Sequence, residues 1–349
     1  MDREELQGLI ESKKNSLKTE RLDMSFGEII SMYSRYELII DPEYQRLFRW
    51  SLEQQTRFIE SILLGIPIPP IFVAENKDGK WEIVDGLQRV STILSFFGTL
   101  QTLPEKNNWA LTEGELIKEL NGYKYEQLTT KMQLNIKRFV CRIEILNWNS
   151  IIDVRYELFN RLNTGGTQLS DQEIRNCIFR GTSSKTNDYL KEMAKNTDFI
   201  DLVNISDSQI EELYLEELVL RFSSLYDKWE SVEKSINFFM TDFMKNAVEN
   251  DSLDINEHKQ VFLKTIAVLK ELDSKIFRFD KAGFSTSLYD AIMLGVSKNI
   301  GFYEKNKDQI KIKLEALKNN QEFRKYTGSA ANSQYRVKKR IETALRIFK

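Results

Sequence analysis

Apolar positions along this chain fall into two regimes. Over residues 25–180 short runs at strand-like and helical spacing alternate closely, whereas from about residue 185 to the end the spacing is helical throughout. Residues 1–24 stand apart as a charged stretch with sparse apolar positions at Leu6, Leu9, Ile10 and Leu17, which predicts a helical docking or covering segment. Ser25 followed by Glu28 is a capping-box signal for a short helix, and Glu37-Leu38-Ile39-Ile40 reads as a strand stopped by Asp41-Pro42. Phe58, Ile59, Ile62 and Leu63 predict a helix over residues 53–64. Gly65 closes it, and Pro67, Pro69 and Pro70 exclude its continuation. Residues 71–74 and 81–84 predict two strands joined through an Asp78-Gly79 hairpin turn.

The second of these strands runs directly into Asp85-Gly86, after which residues 90–97 read as a helix. An Asn121-Gly122 turn and a helix after Thr130 follow. Phe139, Cys141, Ile143 and Ile145 alternate with more polar neighbours, so residues 138–146 make another strand. Residues 153–162 read as a helix, 163–167 as a loop, and Ser170 with Glu173 as a second capping box. The pattern predicts an α+β fold: an N-terminal helical segment over 1–24, a domain with a small mixed sheet over 25–180, and a mostly α-helical domain over 181–349 with a basic C-terminal helix. No repeat or low-complexity linker marks the boundary near 180.

With 349 residues, 41% of them hydrophobic, the chain is long enough to bury more than one core. No apolar run approaches the roughly 20 residues needed to cross a bilayer, and the N-terminus has no signal-peptide pattern, so a cytoplasmic protein is expected. Cys141 and Cys177 lie far apart without a CxxC and read as small core residues. His258 is the sole histidine, in a polar stretch that reads as surface. That scarcity argues against histidine-dependent nucleophilic or metal mechanisms and leaves carboxylate, amide and guanidinium chemistry, which suits phosphate binding with Mg²⁺. A net charge of -2 excludes a globally basic nucleic-acid coat but not a local patch.

Three constellations can carry such chemistry. At Asp85-Gly86 a sharp turn presents helix N–H groups to an anion, with Gln88, Arg89, Ser91 and Thr92 on the first turns. The bland alternative makes Asp85 an N-cap and Arg89 a solvated or internally paired charge. Tyr44, Gln45, Arg46, Arg49 and Trp50 put an amide, two cations and two aromatics in one loop, able to clasp a phosphodiester or stack a base, or else to fill core and pair with nearby carboxylates. Asn160, Arg161, Asn163 and Thr164 flank Gly165-Gly166 in a loop that either converges N–H groups on an anion or simply joins two helices. The last twenty-eight residues hold eight Lys or Arg against two acidic residues. Val337, Ile341 and Leu345 at i, i+4 spacing dock one helix face, fringed by Arg336, Lys338, Lys339 and Arg340; this is a solvated face or a nucleic-acid contact.

Taken together, these blocks resemble the GmrSD and SspE type of bacterial anti-phage proteins, whose N-terminal domain carries a DGQQR motif on a ParB/sulfiredoxin-like fold. The blocks are Asp41-Pro42-Glu43-Tyr44-Gln45-Arg46 with Trp50, residues 61–70, Val84-Asp85-Gly86-Leu87-Gln88-Arg89, and residues 159–166 running into Leu169-Ser170; Tyr326-Thr327-Gly328-Ser329 resembles the end of the same domain. The resemblance implies that the DGQQR element binds and hydrolyses nucleoside triphosphate, that the YQR element belongs to a DNA- or phosphate-sensing pocket, and that members restrict foreign or modified DNA. Leu87 departs from the pattern, standing where the family has its first glutamine. The HNH-like nuclease module usual in this type needs histidines that these residues lack, so DNA cutting is expected from a partner nuclease or another defence protein.

On this basis the expected function is that of a component of a bacterial anti-phage or restriction system, binding and hydrolysing nucleoside triphosphate with Mg²⁺ and sensing DNA. Arg46 and Arg89 neutralise phosphate, Gln88 and Asn163 position water or base, and Asp85 holds the metal or caps the helix. The alternative is a non-catalytic DNA-binding sensor or adaptor; an endonuclease using carboxylates alone is a third. No membrane partner is expected, and a homo-oligomer is compatible with the sequence.

Overall fold

A computed structural model describes residues 2–16, 19–40, 48–76, 78–146, 161, 169–179, 184–272, 275–279, 283–328 and 330–349. The chain divides into two compact units, residues 1–169 and 170–349, so the helix over 171–179 falls with the later residues.

In the first unit, helix α1 (Arg3–Ser16) precedes strand β1 (Thr19–Ser25), where the sequence pattern had predicted helix through residue 24. The reason is tertiary: β1 adds to the sheet antiparallel to β5 (Val140–Leu146), and its charges pair across the ladder, Arg21 with Glu144 and Asp23 with Arg142, both at 3.1 Å. Such pairing outweighs the weak local preference of a polar segment. Helix α2 (Phe26–Ser34) starts at Ser25, whose hydroxyl accepts the Glu28 N–H, and β2 (Leu38–Ile39) follows. Helix α3 (Leu52–Leu63) opens on a Ser51/Gln54 capping box and is closed by Gly65 in the left-handed region, with the Ile66 N–H returning to the Ser61 carbonyl.

Strands β3 (Ile71–Glu75) and β4 (Trp81–Asp85) form the predicted hairpin, its turn held by the Asn76 side-chain oxygen, which accepts the N–H groups of Asp78 and Lys80. Helix α4 (Leu87–Phe96), helix α5 (Thr130–Arg138) and β5 complete the unit. Among the described residues the sheet is five-stranded, in the order β1-β5-β3-β4-β2, with β3 parallel to β5 and β2 parallel to β4. Its core collects Phe26, Ile59, Val90, Ile93, Phe96 and Ile143, all buried. Cys141 is buried as expected, and burial pushes its thiol up to about 12; the Cys177 side chain lies outside the described residues. A small gap lined only by apolar side chains, among them Ile29, Met32, Val73 and Val90, offers nothing to a phosphate.

Between α4 and α5, residues 98–128 contain short 3-10 turns at Pro104–Lys106, Lys118–Leu120 and Tyr125–Gln127 but no α-helix or strand. Two buried α3 side chains organise this stretch. The Glu60 carboxylate accepts the N–H groups of Glu115, Leu116 and Ile117, and the Thr56 hydroxyl accepts that of Thr112.

The second unit is helical as the spacing predicted, with one isolated bridge between Arg278 and Phe284. Its helices are α6 (Asp171–Phe179), α7 (Ser184–Ala194), α8 (Thr197–Val203), α9 (Asp207–Glu211), α10 (Tyr214–Lys228), α11 (Ile236–Asn250), α12 (Ile255–Leu269), α13 (Thr286–Ser297), α14 (Ile300–Tyr303), α15 (Lys307–Asn319), α16 (Gln321–Lys325) and α17 (Gln334–Phe348). The Ser170/Glu173 box forms, with the Ser170 N–H donating to Glu173 and the Glu173 N–H to the Ser170 hydroxyl. Helices α13 and α17 pack closely because Gly295 faces Phe348: a Cβ there would lie 2.6 Å from the ring. His258, expected at the surface, is buried on α12 between the rings of Tyr226 and Phe243, and burial pushes its pKa down. No described helix is long and apolar enough to cross a membrane.

Candidate functional site

Strand β4 delivers Asp85 to the sheet edge opposite Phe72, and the chain then reverses through Gly86 at φ 101°. Only glycine fits this turn comfortably, because the angle is left-handed and an added Cβ would sit 3.0 Å from the Ile71 side chain. Gly86, not Asp85, is therefore the N-cap of α4, and having no side chain it caps nothing. No N-cap side chain therefore competes for the first-turn N–H groups, an arrangement favourable to an anion.

Asp85 is thereby free to meet Arg89. The guanidinium Nη2 donates to Asp85 Oδ2 at 2.7 Å and Nη1 donates to the Pro69 carbonyl. Arg89 is 8% exposed, while 38% of the Asp85 side chain reaches solvent. Internal pairing of Arg89, one of the two sequence-based alternatives, is thus what the chain adopts, at the helix terminus where an anion would compete for the same guanidinium.

The neighbouring candidates divide. Gln88 turns its carboxamide oxygen to the backbone N–H groups of Arg49 (3.0 Å) and Trp50 (3.1 Å), so this oxygen fixes the end of the preceding loop to α4. Trp50 packs edge-on against Phe58, and its carbonyl accepts the Gln55 amide, so much of this ring is core. Ser91 and Thr92, expected to project into the anion site, are fully buried; the Thr92 hydroxyl donates to the Gln88 carbonyl and the Ser91 hydroxyl has no hydrogen-bond partner among the described residues. The reason is that α4 is enclosed on nearly every side, all of its residues but Gln88 being buried. Leu87 is buried in the core. Tyr44, Gln45, Arg46, Asn160, Asn163 and Thr164 lie outside the described residues; Arg161 is exposed.

One residue near the turn has no periodic signal in the sequence. Lys106, in a 3-10 turn, donates from Nζ to the Phe48 carbonyl at 2.7 Å and lies over the Phe48 ring. Gln88 and Lys106 together hold residues 48–50 from two sides, a contact only the tertiary structure reveals.

For a metal, Asp85 offers a partly exposed carboxylate, and among the described residues no group of three or more His, Cys, Asp or Glu side chains is placed to hold an ion. Mg²⁺ needs only one or two carboxylates when phosphate oxygens and water complete its shell, and Asp85 is one such group.

In the second unit the basic helix α17 is amphipathic as expected, with Val337 and Ile341 buried. Arg340 is corrected: it does not fringe the helix but is buried, donating to the carbonyls of Tyr326 and Ala331 and to Asp290. Asp290 on α13 also receives Arg221 of α10 through two hydrogen bonds, and Arg221 reaches Asn332. This buried hub ties three helices and the loop before α17. Arg336 donates to the Lys325 carbonyl, Lys339 pairs with Glu342 at 2.7 Å, and the Tyr326 and Tyr335 rings meet edge to face beside them.

Residues 26–180 match the family described as the GmrSD restriction endonuclease, N-terminal domain. Neither the curated proteins nor the solved structures contain a match to the chain.

Proposed function

We propose that this chain, which carries a GmrSD-type N-terminal domain over residues 26–180, serves a bacterial restriction system by binding and hydrolysing nucleoside triphosphate with Mg²⁺ at the Asp85-Gly86 turn and by sensing DNA. The observation that carries this reading is the Asp85–Arg89 pair at the uncapped start of α4. A guanidinium beside a helix N-terminus whose cap has no side chain is a donor set suited to phosphoryl oxygens, and transfer of a phosphoryl group asks of the protein mainly positioning and charge stabilisation. Bound Mg²⁺ would add positive charge across the phosphate oxygens. Asp85 would hold it, Arg89 would take the phosphate, and Arg46, Asn163 and their neighbours would complete the ligand shell. Gln88 supports the site by anchoring residues 48–50.

Phosphate release from each of the four nucleoside triphosphates with Mg²⁺, with and without DNA, tests this. Release that Arg89→Ala abolishes is expected. Release that persists in Arg89→Ala overturns the site.

A second reading, a non-catalytic DNA-binding adaptor for a partner nuclease, is favoured by Leu87, whose buried side chain supplies no amide where the family motif has one. It predicts no turnover and salt-sensitive retention on DNA, weakened by Arg336→Ala or Lys338→Ala.

A further inference from the structure

Strand β1 lies at one end of the sheet, and among the described residues no strand pairs with its outer edge. Of the usual guards of an open edge it has only charge: it runs for 7 residues, contains neither proline nor glycine, and pairs with β5 without a bulge. Leu22, on the face it shares with buried Ile143, is left 43% exposed. The phase of the edge follows from one hydrogen bond. The Phe26 N–H donates to the Phe139 carbonyl, one step beyond the Ser25 and Val140 pair. By alternation, Glu20, Leu22 and Met24 turn their backbone groups toward β5, while Arg21 and Asp23 turn theirs outward, where an added strand must meet them.

The order of charges on β1 is complementary to its own reverse. Run antiparallel to a copy of itself about Leu22, the strand sets Arg21 opposite the copy's Asp23 and Asp23 opposite the copy's Arg21, with the two Leu22 side chains against each other. Arg21 already pairs with Glu144 and Asp23 with Arg142, so each row across the joined strands alternates in sign over its whole width. Sliding the copy by two residues, the smallest slip that keeps outward groups facing one another, sets Arg21 against Arg21 or Asp23 against Asp23. We infer that β1 is the interface of a two-fold dimer of this chain, the two sheets joining edge to edge into one continuous sheet. Charges that on most edges repel a second strand here select one partner and one register. The inference is independent of the reading of the Asp85-Gly86 turn.

The test is sedimentation velocity on the whole chain. Wild type should be dimeric, and a chain still monomeric at about 100 µM overturns the inference. Arg21→Glu sets glutamate against aspartate twice across the two-fold axis, and Asp23→Lys sets lysine against arginine twice. Each variant alone should therefore dissociate on the order of tenfold more readily than wild type. Mixed, the two variants oppose unlike charges again and should form a heterodimer, a recovery that separates a lost interface from a damaged fold. Variants that dimerise alone as wild type does, or that keep the wild-type circular dichroism yet fail to pair when mixed, overturn the inference. Leu22→Cys tests the register without altering a charge. Opposed residues of this kind lie about 4.5 Å apart at Cα, within disulfide reach, so mild oxidation should link two chains. Thr19→Cys, about 20 Å along the strand from its equivalent in the copy, should stay unlinked. Equal linking of both variants, or of neither, overturns the inference. Helix α1 also leaves Leu6, Leu9 and Ile10 exposed, so Leu9→Asp is the control and should leave the dimer intact. Loss of the dimer in Leu9→Asp, with both charge variants unaffected, moves the contact to α1 and overturns the assignment to β1.

Discussion

Arg221 grips Asp290 through two hydrogen bonds, Nε to Oδ1 at 2.5 Å and Nη2 to Oδ2 at 2.8 Å, with both side chains out of solvent. Arg340 adds a second cation to the same carboxylate at 3.1 Å. One carboxylate therefore bonds two guanidinium groups in the interior; further donors go to backbone carbonyls and Asn332, while the Arg340 Nε is buried with no hydrogen-bond partner among the described residues.

Removing that carboxylate takes the ion-pair partner from Arg340 and the hydrogen-bonded one from Arg221, to which, among the described carboxylates, only the more distant Glu217 remains. Asp290→Asn should cost about 3–5 kcal/mol in urea denaturation, the scale of an orphaned buried charge. Lys338→Ala, on the same helix as Arg340 but half-buried, should change stability by less than about 0.5 kcal/mol.

Gln88→Ala frees the N–H groups of Arg49 and Trp50 at once, and should lower stability by about 1–3 kcal/mol. Gln88→Glu keeps an acceptor oxygen in place and should retain most of that stability. A double-mutant cycle of Gln88→Ala with Lys106→Met should show coupling, since both hold residues 48–50.

Gly86→Ala should destabilise by about 1–3 kcal/mol, since the new methyl meets Ile71 in a left-handed turn. Ile71→Ala removes both atoms that the new methyl meets, Cγ1 and Cγ2, so in thermal denaturation the double variant should lose less than the sum of the two single losses.

His258 is buried in its neutral form, its pKa held below the ordinary 6.5 by burial, against the opposing pull of Asp227, Glu257 and Asp254 and with the help of Lys298. A depressed folded-state pKa means the unfolded chain binds the proton first, so this group's stabilisation is complete above 6.5 and is lost as pH falls from there through the folded value. Denaturation midpoints between pH 7.5 and 5 should fall more steeply for wild type than for His258→Phe; parallel curves would refute the assignment.

The hairpin, the helix before the proline run, the Ser25 N-cap and the Ser170 box were legible in the sequence because each depends on neighbours within a few residues. Strand β1 was not, because nothing in Thr19–Ser25 is apolar enough to announce burial; the open edge of β5 and two cross-strand ion pairs decide it. At the site, the Asp85-Gly86 turn and Arg89 were visible from order alone. Pairing of Arg89 with Asp85, four residues away, stood open as one of two readings; the hold of Pro69 on Arg89, the anchoring by Gln88 and the part taken by Lys106 arise from residues twenty to sixty positions apart and had no local signature. Arg340 and His258 were misplaced for a related reason: a polar side chain in a polar stretch reads as surface unless its buried partners, Asp290 or a pair of rings, are known.

The three backbone N–H groups gathered by Glu60 bind the fate of residues 115–117 to that of α3. These amides can swap their protons with water only when the carboxylate withdraws, so the stretch should exchange at the helix's own rate despite having no regular structure of its own. A protease cutting there would be clocking the breathing of α3.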